Sequence, residues 1–403
     1  MRNFVVCFIT CLMVYSIKAQ PWSIQASGTT ATLLSVFAPT NYICYTVGTE
    51  GTILKTDNGG GTWVAQSSGT TMQLNSVFFT DINNGHAAGE SGTILKTING
   101  GATWVPVPSG LPGRWLESIF FINANIGFVA GRYNWSEAGY ILKTIDGGIN
   151  WTTIYSTSGF GLLSIYFPVA DTGYATGTDG AVIKSVDGGV TWNELSSGLN
   201  WQDLPSAFFS DGNTGYMVGD AGTVLKTTGG GNSFLPLSSG TTKALLSVYF
   251  FGSDTGYIVG QDGIILKTIN GGTSWGEIPS GTQNHLYSVF FTDDSTGYAV
   301  GAQGTILKTT HGGTVFIDEL KDQYVSTTIY PNPAATAITI STGYSIQGET
   351  SVSIFNIRGQ QLIHHKYYNL YAVKFDVSTL SPGIYNVKIQ TKNGTENKKL
   401  VIR

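Results

Sequence analysis

Apolar residues in this chain recur in short alternating runs, not at helical spacing. One such group reads Leu74-Asn-Ser-Val-Phe-Phe79, a Gly-led step near Gly85, then Gly92-Thr-Ile-Leu-Lys-Thr97 and a Gly-rich turn closed by Trp104. Runs of four to eight residues with period-two alternation, bounded by Gly and Asn, predict strands joined by tight turns. The group occurs seven times. Its lysines are Lys55, Lys96, Lys143, Lys184, Lys226, Lys267 and Lys308, spaced by 41, 47, 41, 42, 41 and 41 residues. A period near forty with several short strands per unit predicts the blades of a β-propeller. Each unit parses into four strands, which in the last complete unit are Tyr287 to Phe291, Gly297 to Val300, Thr305 to Lys308 and an outer strand after the turn. One such sheet has no means of burying both its faces, so neighbouring units must cover it.

The two ends of the repeat are complementary. The segment Trp22-Ser-Ile-Gln-Ala-Ser-Gly28 repeats Trp63-Val-Ala-Gln-Ser-Ser-Gly69 and has no unit of its own in front of it. After Phe316 the chain turns into the charged stretch Ile317-Asp-Glu-Leu-Lys-Asp322, so the seventh unit lacks an outer strand. The N-terminal strand is therefore expected to complete the last blade and close the ring, which removes the exposed edges of an open array.

Composition agrees with an all-β chain: 53 Gly, 12% aromatic and only 11% charged residues among 403. Residues 1–19 carry Arg2, an apolar run from Phe4 to Tyr15 and the small Ala19 before Gln20, the pattern of a secretory signal peptide. The run is short for a bilayer span, and no later stretch is long enough for a transmembrane segment. Loss of Cys7 and Cys11 with that segment leaves Cys44 alone, so an intramolecular disulfide is not available and stability must come from core burial and ring closure.

Charge is uneven. From Gln20 to Phe316 there are 10 Lys and Arg against 19 Asp and Glu, whereas residues 318–403 hold 9 against 6. An acidic propeller lacks the basic surface that displaces counterions from phosphates, so no nucleic acid partner is expected.

The turn after each lysine reads Thr56-Asp-Asn58-Gly-Gly60-Gly-Thr62-Trp63, with further copies at Thr97 to Trp104, Thr144 to Trp151, Ser185 to Trp192 and Thr268 to Trp275. It resembles the Asp-box (BNR) repeat. With the neighbouring Gly-Tyr-x-Val-Gly and Gly-Thr-Ile-Leu-Lys-Thr, the unit is similar to the propeller of photosystem II assembly factor-like proteins. Gly229 and Phe234 depart from the pattern in the fifth copy, His311 and Phe316 in the seventh. A short Asp or Asn side chain can bond backbone amides and hold a Gly-rich turn, so Asp146 and Asp187 are read as turn builders. The lysines are read as a repeated strand-edge residue.

From Tyr330-Pro-Asn-Pro333 the chain changes character. Ala337 to Ile340, Val352 to Phe355, Val373 to Val377 and a last strand ending at Ile402 alternate with turns at Asn356-Ile-Arg-Gly359 and Leu380-Ser-Pro-Gly383, which predicts a small β-sandwich. These motifs resemble the type A C-terminal sorting domain of the type IX (Por) secretion system of Bacteroidetes. The resemblance implies that residues 330–403 address the chain to that machinery and carry it outward, to the cell surface or the medium. The expected organisation is a signal peptide (1–19), a seven-bladed propeller (20–317), a linker (318–329) and the sorting domain (330–403).

Candidate chemistry lies in the loops of one propeller face. Between second and third strands stand Glu50, Glu90, Glu137, Asp179, Asp220 and Asp262, with Gln303 in the seventh unit, expected to ring one mouth. The third unit is irregular, carrying Arg132-Tyr133-Asn-Trp135-Ser-Glu137-Ala138, with Arg114 and Trp115 in the loop before it. Later loops add Phe160 and Asn200-Trp201-Gln202-Asp203. Aromatics beside acids and amides can stack on sugar faces while bonding their hydroxyls, so Trp115, Arg132, Tyr133, Trp135, Glu137, Asp179, Trp201, Asp203 and Asp220 are the candidate ligand-binding residues; the competing reading is that Trp115 and Trp201 fill gaps between loop and blade. The leading expectation is a non-catalytic recognition or adhesion protein for an extracellular glycan or protein. A glycoside hydrolase using paired carboxylates is the alternative, but not a sialidase, whose arginine cluster for the substrate carboxylate would exceed Arg114 and Arg132. No cofactor is expected. One acid per blade is too dispersed for calcium, and His86, His285 and His311 lack metal-ligand spacing.

Overall fold

The computed structural model describes residues 21–133, 138–313, 328–391 and 394–403. The expected signal peptide, Trp135, Glu137 and the stretch 314–327 lie outside the described residues. The chain divides into a compact unit over Gln20–Val315 and another over Phe316–Arg403.

The first unit is a seven-bladed propeller of four-stranded antiparallel sheets. Blade one comprises Leu33–Phe37, Cys44–Gly48, Ile53–Thr56 and Val64–Gln66 from the channel outward. Blade seven is built from Leu286–Phe291, Gly297–Gly301, Ile306–Thr309 and, as its outermost strand, Ser23–Gln25. The registers Ser23↔Lys308, Ile24↔Leu307 and Gln25↔Ile306 confirm closure by the N-terminal strand. Trp22 seals the joint, fully buried and edge-on to Phe291 at 5.8 Å.

Three circumferential links repeat around the ring. On the innermost strands a serine accepts the amide of the next blade: Ser35 from Val77, Ser76 from Ile119, and, across the seam, Ser288 from Val36 at 3.2 Å. Below it, Phe37, Phe78, Phe120, Tyr166, Phe208, Tyr249 and Phe290 touch in sequence at centroid distances of 4.8 to 5.3 Å, and Phe290 meets Phe37 at 4.9 Å. The third link explains the lysines. Lys96, Lys143, Lys184, Lys226 and Lys267 each donate to the Gly carbonyl in the Asp-box turn of the following blade at 2.6–2.8 Å, and Lys308 reaches Gly59 of blade one.

The Asp-box residues build their turns as expected. Asp146 accepts the amides of Ile149 and Asn150 and the hydroxyl of Thr144, and Asp187 does likewise, which holds both carboxyls below the usual range. The Trp of each turn packs edge-on against an inner ring, as Trp104 does on Phe79 and Trp151 on Phe121.

Blade two departs from the repeat at one buried position. Tyr45, Tyr216 and Tyr257 bond the carbonyls of Gly100, Gly271 and Gly312 through their hydroxyls, but blade two has His86, whose Nε2 lies 3.1 Å from the Gly147 carbonyl while its ring stacks on Phe121 at 4.3 Å.

The second unit folds around two long bent strands, Ala337–Phe355 and Gln361–Asp376. Their pairing shifts register near Ser341 and Glu349, so the first half lies beside Thr328–Tyr330 and the second beside Gly383–Thr391, which in turn pairs with Gly394–Ile402. Ile338, Ile340 and Phe375 from one half share a core with Val352, Ile354, Val387 and Leu400 from the other, giving the two layers of a small sandwich. Segments expected as separate strands, Ala337 to Ile340 and Val352 to Phe355, are two ends of one continuous strand. It passes between layers instead of turning back.

Two stability predictions follow from burial. Deleting residues 20–28 should destabilise the propeller far more than Trp22→Ala, which alone should cost about 3–5 kcal/mol; amide exchange should then speed up first in Ile306–Thr309, and unchanged protection there would count against closure by this strand. Burial, reinforced by Lys96, pushes the His86 imidazole down to about 4 from 6.5. The unfolded chain therefore binds an extra proton between those values, so stability present above pH 6.5 is lost as pH falls through 4, on the order of 3 kcal/mol. His86→Tyr, restoring the phenol that five of the other six blades carry, should flatten denaturant midpoints measured between pH 4 and 7.

Candidate functional site

The candidate face is formed by the turns between second and third strands and the connections between blades. In six blades the turn is a short helical bend with one non-glycine residue in the left-handed region: Glu50, Ser91, Asp179, Ala221, Asp262 and Gln303, all near φ 51–59°. The following glycine is required by close approach. A side chain on Gly51 would begin 2.0 Å from the Thr70 carbonyl, and the Ser68 hydroxyl beside it accepts the amide of Thr70.

These turns hold five of the expected acids, at two different positions within the turn. Glu50, Asp179 and Asp262 occupy the left-handed position, but Glu90 and Asp220 open their turns one residue earlier. Asp262 is engaged locally, 3.8 Å from both Lys243 and His285. Among the described residues, the acids that engage one another's amides lie over blades four and five. There Asp203 Oδ1 accepts the amide of Asp179, and Asp220 Oδ2 accepts the amide of Asp203, both at 3.2 Å. Burial raises the Asp203 carboxyl; Asp220 and Asp179 raise it further, against lowering by the Asp179 amide and Arg132. Among the described residues no group of three or more His, Cys, Asp or Glu is arranged to hold a metal ion.

Blade three corrects an expectation. Arg114 and Trp115 belong to the inner strand Arg114–Phe121, not to a loop, and Arg132 and Tyr133 end the second strand, Gly127–Tyr133. The pairs Arg114↔Tyr133 and Trp115↔Arg132 lengthen the hairpin beyond those of other blades. It is fastened from within by Glu117, a bulge residue the sequence reading passed over. Its carboxylate bonds Arg132 Nε at 2.7 Å and is nearly covered, so burial raises its titration while Arg132 opposes the shift. Glu117 was findable: every other blade places Leu, Asn, Pro or Tyr at that step of the inner strand. The Arg132 guanidinium lies 5.7 Å over the Trp115 ring, and Tyr140 donates its hydroxyl to the carbonyls of Trp115 and Arg132. Trp115 is half-buried in this layer.

Trp201 takes the opposite position. It is 85% exposed, with φ of 70°, on the connection from blade four to blade five. A gap-filling role is thus excluded for this indole. A recess of about 390 Å³ lies beside it, lined by Phe160, Asp179, Glu194 and Asn200 among others. A larger recess of about 900 Å³ lies over blade one, between Ser27–Thr29 and Ser67–Thr71, and equivalents recur over blades two, four and five beside the Ser-Gly turn, the recess next to Trp201 being the blade-four member. The series reflects the repeat; among the described residues its blade-four member is the one that adjoins the exposed Trp201 indole and the acids bonded to one another's amides. Of the candidate residues, then, Asp179, Asp203 and Asp220 come together, Arg132 reaches Asp203 electrostatically, Trp115 and Tyr133 stand on the adjoining hairpin, and Trp135 and Glu137 lie outside the described residues.

With this geometry in place, likeness to known proteins can be weighed. The profile of the secretion system C-terminal sorting domain matches residues 328–403, which marks the chain for type IX secretion to the cell surface or extracellular space. No curated protein matches it. Among solved structures, YCF48 bound to D1 peptide is 21% identical over 72% of this chain and 97% of that one, with a TM-score of 0.60. The GH74 xyloglucanase from Xanthomonas campestris is 12% identical over 79% and 59%, at 0.60. PorZ, a surface component of the type IX secretion system of Porphyromonas gingivalis, is 10% identical over 92% and 59%, at 0.55. Identities this low establish a shared fold and leave activity open. The profile of photosynthesis system II assembly factor YCF48 matches residues 14–156 and 199–283, more than half of the sequence, and on that ground the chain belongs to the YCF48 family of propellers.

Proposed function

We propose that the propeller is a non-catalytic extracellular recognition module, delivered by its sorting domain, that binds a glycan over blades three to five. The observation carrying this reading is Trp201. A bulky residue held at positive φ costs of order 1–3 kcal/mol, and an indole left in water gains nothing from burial in return. Such a residue is explained by a ligand that covers it. An indole face accepts the C–H face of a pyranose, and the neighbouring carboxylates of Asp179, Asp203 and Asp220 accept its hydroxyl protons.

A glycoside hydrolase is the second reading, favoured by Asp203. Its half-buried carboxyl, raised first by burial and then by two neighbouring acids, stands beside further carboxylates, the kind of pairing that acid-base hydrolysis uses. GH74 propellers share the fold alone, so their activity is not transferred.

On a glycan array, Trp201→Ala should weaken binding by tenfold or more, about 1.4 kcal/mol, while Trp201→Gly should match that loss without lowering the melting temperature. Equal binding by wild type and both variants would remove the aromatic platform. For the second reading, reducing-end release should be followed on β-glucans and xyloglucan. No release is expected from wild type; release that disappears in Asp203→Asn would establish the hydrolase instead.

A further inference from the structure

The two arginines between Gln20 and Phe316 both stand on the blade-three hairpin, at its last two cross-strand pairs. Their situations differ. Arg132 is neutralised by the covered Glu117 at 2.7 Å and serves to hold Trp115 in place. Arg114 has no carboxylate within 4.0 Å and no hydrogen-bond acceptor among the described residues. Instead, its guanidinium carbon lies over the Tyr133 ring, 3.6 Å from the centroid, a separation that fits stacking on a ring that is itself 42% exposed. Stacking fixes the plane of the guanidinium and uses its face, which leaves the in-plane N–H groups directed outward as a fork. Such a fork matches a planar carboxylate through two parallel charge-assisted bonds.

The surroundings restrict what can bring that carboxylate. Toward blades four and five the surface becomes acidic, with Asp179, Asp203 and Asp220 engaging one another's amides. The propeller as a whole carries 19 acidic against 10 basic residues. A densely charged polyanion would be repelled over most of its length. A ligand with one carboxylate followed by neutral hydroxyl-bearing units meets Arg114 first, then acceptors for its hydroxyls and the Trp201 indole.

We infer that Arg114, stacked on Tyr133, is a carboxylate-binding subsite, and that the ligand of this face is a glycan bearing isolated uronic acids on a largely neutral chain. This rests on the glycan-recognition reading above and adds the ligand class and the residue that selects it. Arg114 sits at a strand end on the surface, so its replacement leaves the core intact.

The test uses the full chain on an array pairing uronic-acid oligosaccharides from glucuronoxylan, polygalacturonate and alginate with their carboxyl-reduced, neutral counterparts. Wild type should bind the sparsely charged glucuronoxylan member tenfold or more tighter than its reduced partner, and a preference confined to the densely charged polygalacturonate or alginate members would overturn the isolated-acid ligand class. Arg114→Gln should abolish that preference while retaining affinity for the neutral form. Arg114→Lys, which keeps the charge but loses fork and stacking, should recover only a small part of it. Trp201→Ala should weaken both members of a pair alike and preserve their ratio. If wild type binds both members equally, or Arg114→Gln keeps the preference, the carboxylate subsite is overturned while a Trp201 effect would still uphold the platform. Binding to neither member of any pair overturns both.

Discussion

Every blade of this propeller depends on its neighbours, so the decisive interaction is the joint between the first blade and the seventh. An isolated four-stranded sheet exposes two apolar faces and two edges, and only a closed ring covers the faces. At this joint the repeated links occur in succession: Ser288 accepts the Val36 amide, Phe290 touches Phe37, Lys308 bonds the Gly59 carbonyl, and Trp63 packs edge-on against Tyr298. The N-terminal strand adds Trp22 and three residues of pairing. The seam is therefore bonded as the other joints are, although its two sides are separated by most of the chain. With its one described cysteine, Cys44, buried and free, the propeller obtains its unity from this closure.

Redundancy in the frame leaves room for local exceptions. Lysines that would repel one another on an open surface are directed to backbone carbonyls between blades, and the Asp-box carboxylates are occupied by amides of their own turns. These charges are consumed by architecture, which is why the conspicuous repeated residues are poor guides to a binding site. Informative residues are those that break the repeat: His86 buried where a tyrosine is usual, Glu117 at a bulge, the lengthened hairpin of blade three, and the exposed indole of Trp201.

Apart from His86, which faces the Asp-box turn of blade three, these exceptions adjoin: the blade-three hairpin carries two extra pairs, and its Arg132 acts electrostatically on Asp203 in the connection from blade four to blade five. A covered carboxylate beneath Arg132 stiffens the hairpin, and three acids holding one another's amides stiffen the adjoining turns. For the proposed ligand, a face so prepared would have little conformational entropy to lose. The sorting domain is separate in its construction, with its own core, and contributes the address by which the chain is exported.

Sequence alone determined the seven blades, the four-strand parse and the closing role of Trp22 to Gly28, because a forty-residue period and a displaced outer strand leave few ways to bury the same apolar faces. It also determined the turn-building role of Asp146 and Asp187 and the sorting character of the tail. Tertiary structure decided the rest. Lysine spacing could not reveal its target, since each Gly carbonyl lies in the next blade. Sequence placed acids in the turns between second and third strands but did not say which would meet, because the bonds joining Asp179, Asp203 and Asp220 run between two turns and the connection between blades four and five. Arg114 and Trp115 read as loop because the extra pairs of blade three depend on a partner strand twenty residues away. The contrast between a half-buried Trp115 and an exposed Trp201 arose from packing against neighbouring elements, which local sequence does not encode.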